Sequence, residues 1–338
     1  MGIAVLVGDS LGTGDVFMLK KAIAVVTSGG DSPGMNAAAR AVVRTAIYEG
    51  VEVYGVHNGY SGMVHDDIEK LTTRSVSDLI QRGGTFLGTA RSKSFMTPEG
   101  RKTAFDNLCK RGIEGLVIIG GDGSLTGGSL LSKETGMPIV GLPGTIDNDV
   151  WGMDYTIGCD TACNTIVDAI NKLRDTASAH RRIILVEVMG RHSGWLAMMS
   201  GIAGGAEYIL VPEVAYDLEE ISCDLKEMYE AGKRYSIIVV AEGAGSAVEI
   251  GKIIREKTEI DTRVSVLGHI QRGGSPTVDD RIKASMLGEK AALAIISGVN
   301  DVIFSFNEGQ VVSVNLFEAV NNTKTLDPEL VRLSRVLA

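Results

Sequence analysis

Short apolar, β-branched runs recur along the chain, and each breaks off in a glycine-containing or polar loop. They read "AIAVVTSGGD", "VEVYGVHNG", "GLVIIGGDG", "PIVGLPGTIDND", "RIILVEVMGR", "YSIIVVAEGAG" and "VSVLGHIQRGG". Runs of this kind predict buried strands. Helical patterns lie between most of them. Ile166, Val167, Ile170 and Leu173 share one face of a predicted helix, with Asp160 or Thr161 as its N-cap. Another helix is predicted from about Arg281 to Ile296. Strands alternating with helices predict an α/β fold of parallel sheets covered on both faces. Ligands of such folds bind beyond the carboxyl ends of the strands. Nearly every polar cluster of this sequence stands at such an end. With 338 residues, two α/β domains with a cleft between them are expected rather than one open sheet.

Composition mainly excludes. The net charge of −9 argues against nucleic acid as the main partner, yet a few arginines can still make a local anion pocket. Cys109, Cys159, Cys163 and Cys223 form no CxxC pair and read as thiols of a reducing compartment. No apolar run reaches the roughly 18 residues of a membrane span, and the N-terminus lacks the basic region of a signal peptide. A cytoplasmic protein is expected. Met18 begins "MLKKAIAVVTSGGD", a natural start for a first strand, so residues 1–17 are expected to be an upstream extension.

The loops carry the candidate chemistry. "TSGGDSPGMNAAAR" turns from a strand end into a helix, and Gly29, Gly30 and Gly34 allow backbone N–H groups to face an anion. "GGDGS", Gly120 to Ser124, repeats the plan and adds Asp122, an oxygen ligand for Mg²⁺. Either glycine turn alone is a weak signal, and neither GxxxxGK[ST] nor GxGxxG occurs. Arg91, Arg182, Arg191, Arg263 and Arg272 stand beside strand ends, and His269 accompanies the last. Five arginines in loops expected to converge predict binding of two or more phosphate groups. In "PGTIDND", Asp147 and Asp149 either shape a turn or deprotonate an attacking hydroxyl. Glu242, in "AEGAG", would accept from sugar hydroxyls. Together these parts are the equipment of phosphoryl transfer.

"TSGGDSPGMNAA", "RGGTFLGTAR", "GGDGS", "PGTIDND", "DYTIGCDTA", "VEVMGRHSG", "AEGAG" and "LGHIQRGGSP", in this order, resemble the 6-phosphofructokinase family from about Lys20 onward. The resemblance implies two Rossmann-like three-layer α/β/α domains with mostly parallel sheets facing across a cleft. A nucleotide-binding domain would span 18–158 plus about 271–321, and a fructose 6-phosphate domain 159–270 plus about 322–338. Asp147 is then implied as general base for the sugar 1-hydroxyl, with Asp149 supporting it and Thr145, Arg191 and Arg91 at the reacting phosphoryl group. ATP is implied against Gly30, Tyr60, Arg91, Ser92, Asp122, Gly123, Ser124 and Gly127, with Mg²⁺ on Asp122. Fructose 6-phosphate is implied against Thr145, Asp147, Met189, Gly190, Arg191, Glu242, His269 and Arg272. Arg182 and Arg263 are implied to reach it from a neighbouring subunit of a homotetramer.

Donor choice depends on two positions. Pyrophosphate-using relatives resemble "GGDDS" and "PKTIDND", whereas this chain has Gly123 and Gly144, which favours ATP. Ser92 and Met96 depart from the aromatic and arginine that bacterial ATP-using members often carry there, which implies a looser adenine pocket. Arg40, Arg44, Arg174, Glu207 and Lys233 match effector-site positions, while Thr73 and Ala231 stand where further basic residues are often found. A pyrophosphate-dependent enzyme and a non-catalytic sugar-phosphate-binding regulatory protein are the alternatives.

Overall fold

The structure is a computed structural model that describes residues 21–338. The expected extension, residues 1–17, and the start at Met18 lie outside the described residues. In chain order the strands are β1 (Ala22–Ser28), β2 (Glu52–Val56), β3 (Ile68–Lys70), β4 (Leu116–Gly120), β5 (Ile139–Pro143) and β6 (Ile183–Val188). They continue with β7 (Tyr208–Leu210), β8 (Ser236–Ala241), β9 (Thr262–Val266), β10 (Val302–Asn307) and β11 (Gln310–Asn315). The helices are α1 (Met35–Tyr48), α2 (Gly59–His65), α3 (Pro98–Lys110), α4 (Asp122–Thr135), α5 (Cys159–His180) and α6 (Trp195–Gly204). After them come α7 (Leu218–Glu230), α8 (Ala247–Thr258), α9 (Val278–Ile296), α10 (Leu316–Asn321) and α11 (Pro328–Leu337).

Two sheets form. One has seven strands in the order β11-β10-β5-β4-β1-β2-β3, the other four in the order β7-β8-β6-β9. All pairings are parallel except at the edges of the larger sheet, where β3 and β11 run antiparallel to their neighbours. Each sheet has an apolar core on both faces. That double covering is why β1, β4 and β5 are continuous apolar runs without alternation. On one face α1 and α9 cross so closely that a Cβ at Gly288 would lie 2.4 Å from the Ala38 carbonyl oxygen.

The N-cap expected at Asp160 or Thr161 is corrected. The helix begins at Cys159, behind Gly158 in the left-handed region at φ 103°, and no side chain of its own caps it. The cap comes from α9. Asp280, fully buried, accepts from the N–H of Gly158 at 2.9 Å and of Thr161 at 2.8 Å. It also accepts from the hydroxyls of Tyr155 and Thr161, both at 2.5 Å. Burial raises its pKa, and these four donors pull it back. The helix expected from Arg281 accordingly starts at Val278, with Thr277 as N-cap. The Thr277 hydroxyl also donates to Asp160 at 2.6 Å.

Asp280→Ala is expected to lower the unfolding free energy by about 3 kcal/mol or more. Each hydrogen bond to a charged group is worth roughly 1.5–3 kcal/mol, and the donors would stay buried. Urea denaturation followed by circular dichroism measures the difference. A loss under about 1 kcal/mol would show that the cap is dispensable.

Candidate active site

Five loops meet at the carboxyl ends of their strands. After β1 come Gly29, Gly30 and Asp31, and after β4 Gly121 with the first turn of α4, Asp122 to Ser124. The β5 loop adds Gly144 to Asp147 and Asp149. Arg191 follows β6, and Arg272 ends the 3₁₀ turn Gly268–Arg272 after β9. The first three loops belong to the larger sheet and the last two to the smaller, so the cleft lies between the sheets. The order of strands thus gathers residues that are far apart in sequence.

The "TIDND" loop does not behave as a turn held by its own carboxylates. Its reversal is made by Asn148, fully buried at φ 49°, whose amide donates to the Asp154 carbonyl at 2.9 Å. The Asp147 N–H donates to the Thr145 hydroxyl at 3.2 Å. Asp147 itself is only 6% exposed. Both Asp147 and Asp149 keep a buried Oδ1 without a hydrogen-bond partner. Burial, reinforced by Asp149, raises the Asp147 pKa to about 6, while Arg191 and Arg272 pull it down and Glu242 adds a small rise. Asp149 is raised by burial and by Asp122, against its own backbone N–H, Arg191 and Lys324. A carboxylate held near neutrality and free of partners is suited to taking a proton.

The other loops show close approach. A Cβ at Gly30 would stand 2.4 Å from Arg272 Nη1, so the guanidinium lies directly on the first glycine loop. Gly123 has open space around its missing side chain. Gly144 does not, since a Cβ there would meet Met35 Cε at 2.7 Å and Ile119 Cγ2 at 3.1 Å. Glycine at 144 is therefore demanded by packing as well as available for donor choice. Asp122, exposed in the first turn of α4, offers the hard oxygen that fits Mg²⁺. Among the described residues no group of three or more metal-ligating side chains occurs. Mg²⁺ commonly takes one or two carboxylates plus phosphate oxygens and water, so Asp122 suffices for the fit.

The five arginines do not converge. Arg191 and Arg272 line the cleft. Arg182 and Arg263 stand at the amino ends of β6 and β9, 3.4 and 3.2 Å from Asp261. In a parallel sheet, residues before a strand lie a strand's length from those after it. Arg91 is exposed, two residues after Thr89, whose hydroxyl donates to the Gly29 carbonyl at 2.8 Å.

Tyr60 lies beneath the glycine loop, stacked on Phe95 at 3.9 Å, and its hydroxyl donates to the Ser124 carbonyl. Gly127 makes room for that pair, since its Cβ would meet Tyr60 Cε2 at 2.9 Å. Ser92 accepts from the Phe95 N–H at 3.2 Å, and Met96 is 80% exposed. Glu242 accepts from the N–H of Gly190 at 3.2 Å and of Arg191 at 2.8 Å, fixing the loop after β6. The Met189 N–H donates to buried Gln271 at 3.1 Å, and His269 is exposed. Of the candidate effector residues, Arg174 donates to the carbonyls of Gly204 and Gly205, and Glu207 pairs with Lys233 at 3.2 Å. Arg40 and Arg44 lie on α1, over the other sheet. Asp31, which lines the cleft, and Gln271 were not singled out, although they stand inside "TSGGDSPG" and "GHIQRGG".

The family model for phosphofructokinase matches residues 22–295. This chain belongs to the phosphofructokinase family. It is 57% identical over 318 residues to the ATP-dependent 6-phosphofructokinase of Bacillus licheniformis, covering 94% of this chain and 99% of that one. It is 55% identical over the same shares to the ATP-dependent 6-phosphofructokinase of Bacillus subtilis. Among solved structures, the phosphofructokinase of Saccharomyces cerevisiae has a TM-score of 0.85 at 39% identity, covering 94% of this chain and 48% of the yeast chain. This chain thus spans about half of the yeast one. The pyrophosphate-dependent phosphofructokinase of Nitrosospira multiformis has a TM-score of 0.85 at 20% identity, covering 94% of this chain and 91% of that one, and shares the fold. The family's two α/β domains correspond to the two sheets described above. Among the described residues no helix is long and apolar enough to cross a membrane.

In this phosphofructokinase-family fold, ionising Asp147 costs stability. Its folded pKa of about 6 exceeds the ordinary 3.8, so stability falls as pH rises through that window and stays lost above it. Asp147→Asn is expected to raise the unfolding free energy by about 1–3 kcal/mol at pH 8 and by much less at pH 4, at roughly 1.4 kcal/mol per unit. Denaturation without nucleotide or metal ion at both pH values measures this. A difference independent of pH would refute the electrostatic origin.

Proposed function

We propose that this chain transfers the terminal phosphoryl group of ATP to the 1-hydroxyl of D-fructose 6-phosphate, giving fructose 1,6-bisphosphate and ADP. The observation that carries the reading is Asp147, a buried carboxylate without a hydrogen-bond partner on one oxygen, facing glycine loops and two arginines. Asp147 takes the proton of the 1-hydroxyl as its oxygen attacks the γ-phosphorus, and the bridging oxygen leaves with ADP. Thr145 and Asp149 hold the base loop, while Arg191 and Arg91 offset charge on the transferring group. Gly30 presents backbone to the terminal phosphate. Asp122 would hold Mg²⁺, which supplies charge neutralisation on the phosphates.

Tyr60, Ser92, Gly123, Ser124 and Gly127 belong to the ATP side of the cleft. Met189, Gly190, Glu242, His269 and Arg272 belong to the sugar side. Arg182 and Arg263 serve a neighbouring subunit's site in a homotetramer, a reading supported by their distance from their own cleft. The nucleotide domain is read as 18–158 plus about 271–321, since α9 and β10 pack with the larger sheet's core. The sugar domain is read as 159–270 plus about 322–338, since Leu330 and Val331 pack with the smaller sheet's core. Arg40, Arg44, Arg174, Glu207 and Lys233 are read as an effector site completed between subunits. The protein is placed in the cytoplasm.

ATP is favoured over pyrophosphate because relatives at 54–57% identity are ATP-dependent enzymes, and because Gly123 leaves open space. A coupled assay for fructose 1,6-bisphosphate, run with ATP and separately with pyrophosphate, tests both activity and donor. Asp147→Ser is expected to lower kcat by on the order of 10²–10⁴ with modest change in KM. Retention of more than about a third of kcat would remove Asp147 as base.

Gly123→Asp fits the fold without a clash, so its effect should be on donor alone. Even about 1 kcal/mol of repulsion against the nucleotide lowers ATP-dependent kcat/KM about fivefold. Pyrophosphate use is expected to suffer less. No loss with ATP would show that the reading of "GGDGS" is wrong.

A further inference from the structure

A second cavity, of about 460 Å³, opens between the layers of the two sheets and shares no residue with the cleft. Helices over the smaller sheet supply one wall. Cys159, Cys163 and Val167 recur every fourth residue on α5, and Trp195, Met199 and Ala203 do the same on α6. Residues at that spacing share a helix face, so two mostly apolar stripes look into the same space. The larger sheet's layer supplies the other wall, with Phe306 on β10 and Asp279 and Lys283 on α9. Tyr155, on the segment from β5 to α5, closes it. This volume, with an apolar lining and few polar groups, is that of a small-molecule site.

The aromatic end of the cavity already holds a cation. Tyr155 and Phe306 meet edge to face, their centres 6.0 Å apart at 85°. Lys283 Nζ lies 4.6 Å from the Tyr155 ring centre and 5.7 Å from that of Phe306. The Tyr155 hydroxyl donates to the Asp280 carboxylate, which enriches the ring in electrons and makes it a better partner for a cation. Three aspartates line the cavity against one lysine, which leaves an excess of negative charge. Asp279 pairs with Lys283 at 2.7 Å, Asp160 accepts from the Thr277 hydroxyl at 2.6 Å, and Asp154 accepts from the Glu308 N–H at 2.8 Å. All three use Oδ2, and among the described residues the Oδ1 of each accepts no hydrogen bond. Lys324 stands 5.8 Å from the Trp195 ring but does not line the cavity, so the end that suits a cation is that of Tyr155 and Phe306.

We propose that this cavity binds a small protonated aromatic amine, its ring between the α5 and α6 stripes and its ammonium at the aspartates beside Lys283. Burial of the ring removes apolar surface from water, and the free carboxylate oxygens accept from the ammonium. An aromatic carboxylate of the same shape meets the same apolar walls but is repelled by the aspartates, so charge sets the choice of ligand.

The test is equilibrium dialysis of 2-(2-naphthyl)ethylamine against the whole protein at neutral pH, with 2-naphthylacetate as the anion of similar shape. Saturable binding of the amine is expected, with Kd on the order of 10⁻⁴ M for a ligand of this size, and binding about tenfold weaker or worse for the carboxylate. Ala203, exposed at the rim, can be enlarged to fill the cavity. Ala203→Trp is expected to weaken the amine by about tenfold or more. Lys283→Met removes the tethered cation and is expected to tighten the amine by about threefold to tenfold, whereas at an anion site it would loosen the ligand. If Ala203→Trp does not fold by circular dichroism, Val167→Phe carries the same expectation. Equal or tighter binding of the carboxylate, an amine Kd unchanged in the cavity-filling variant, or no saturable binding below about 5 mM would overturn the proposal.

Discussion

Everything in the cleft depends on how one sheet is held against the other, and one buried carboxylate bears much of that. Asp280 belongs to α9, which packs on α1 over the larger sheet, yet its acceptors are spent on the start of α5, which covers the smaller. A helix start without its own cap and a buried acid without a counter-ion would each be unfavourable alone. Joined, the N–H groups and the carboxylate satisfy one another. The joint lies just after the β5 loop, so the position of Asp147 relative to Arg191 and Arg272 follows from it. Thr277 reinforces it through Asp160 and Thr161.

The cleft concentrates like charge in a dry place. Asp147 is buried with Asp149 half-buried beside it in sequence; Asp122 and Glu242 raise their pKa values and Arg191, Arg272 and Lys324 lower them. A folded protein gains nothing from this, which is why functional sites are where stability is given up. The glycines serve the same end. Gly30 lets the Arg272 guanidinium rest on the loop, and Gly29 lets that loop meet Ser124, whose Oγ would stand 2.9 Å from an added Cβ. The backbone lining the cleft is thus shaped by absent side chains rather than by present ones.

The fold was largely legible because its strands are buried on both faces, and double burial writes itself as continuous apolar runs. The seven predicted strands are β1, β2, β4, β5, β6, β8 and β9. Those not predicted sit at or near edges. β3 and β7 are three residues long, and β11 has no buried residue. The β10–β11 hairpin turns at Glu308 and Gly309, both at positive φ, and a glutamate at the first position hides a turn that asparagine or aspartate would have announced.

What the sequence determined by itself was local: the apolar runs, the glycine turns that follow them, and the residue types those turns present. "TSGGD", "GGDGS" and "TIDND" stand at carboxyl ends of strands because the chain must turn where an apolar run stops. Tertiary structure decided which loops meet. It brought Arg191 and Arg272, which follow their strands, to Asp147 and left Arg182 and Arg263, which stand at strand starts, on Asp261. It turned Asp280 into a cap for a helix more than a hundred residues earlier in the chain. No local pattern encodes such pairings. They arise only when parallel strands fix which ends face the cleft and packed helices bring distant segments together.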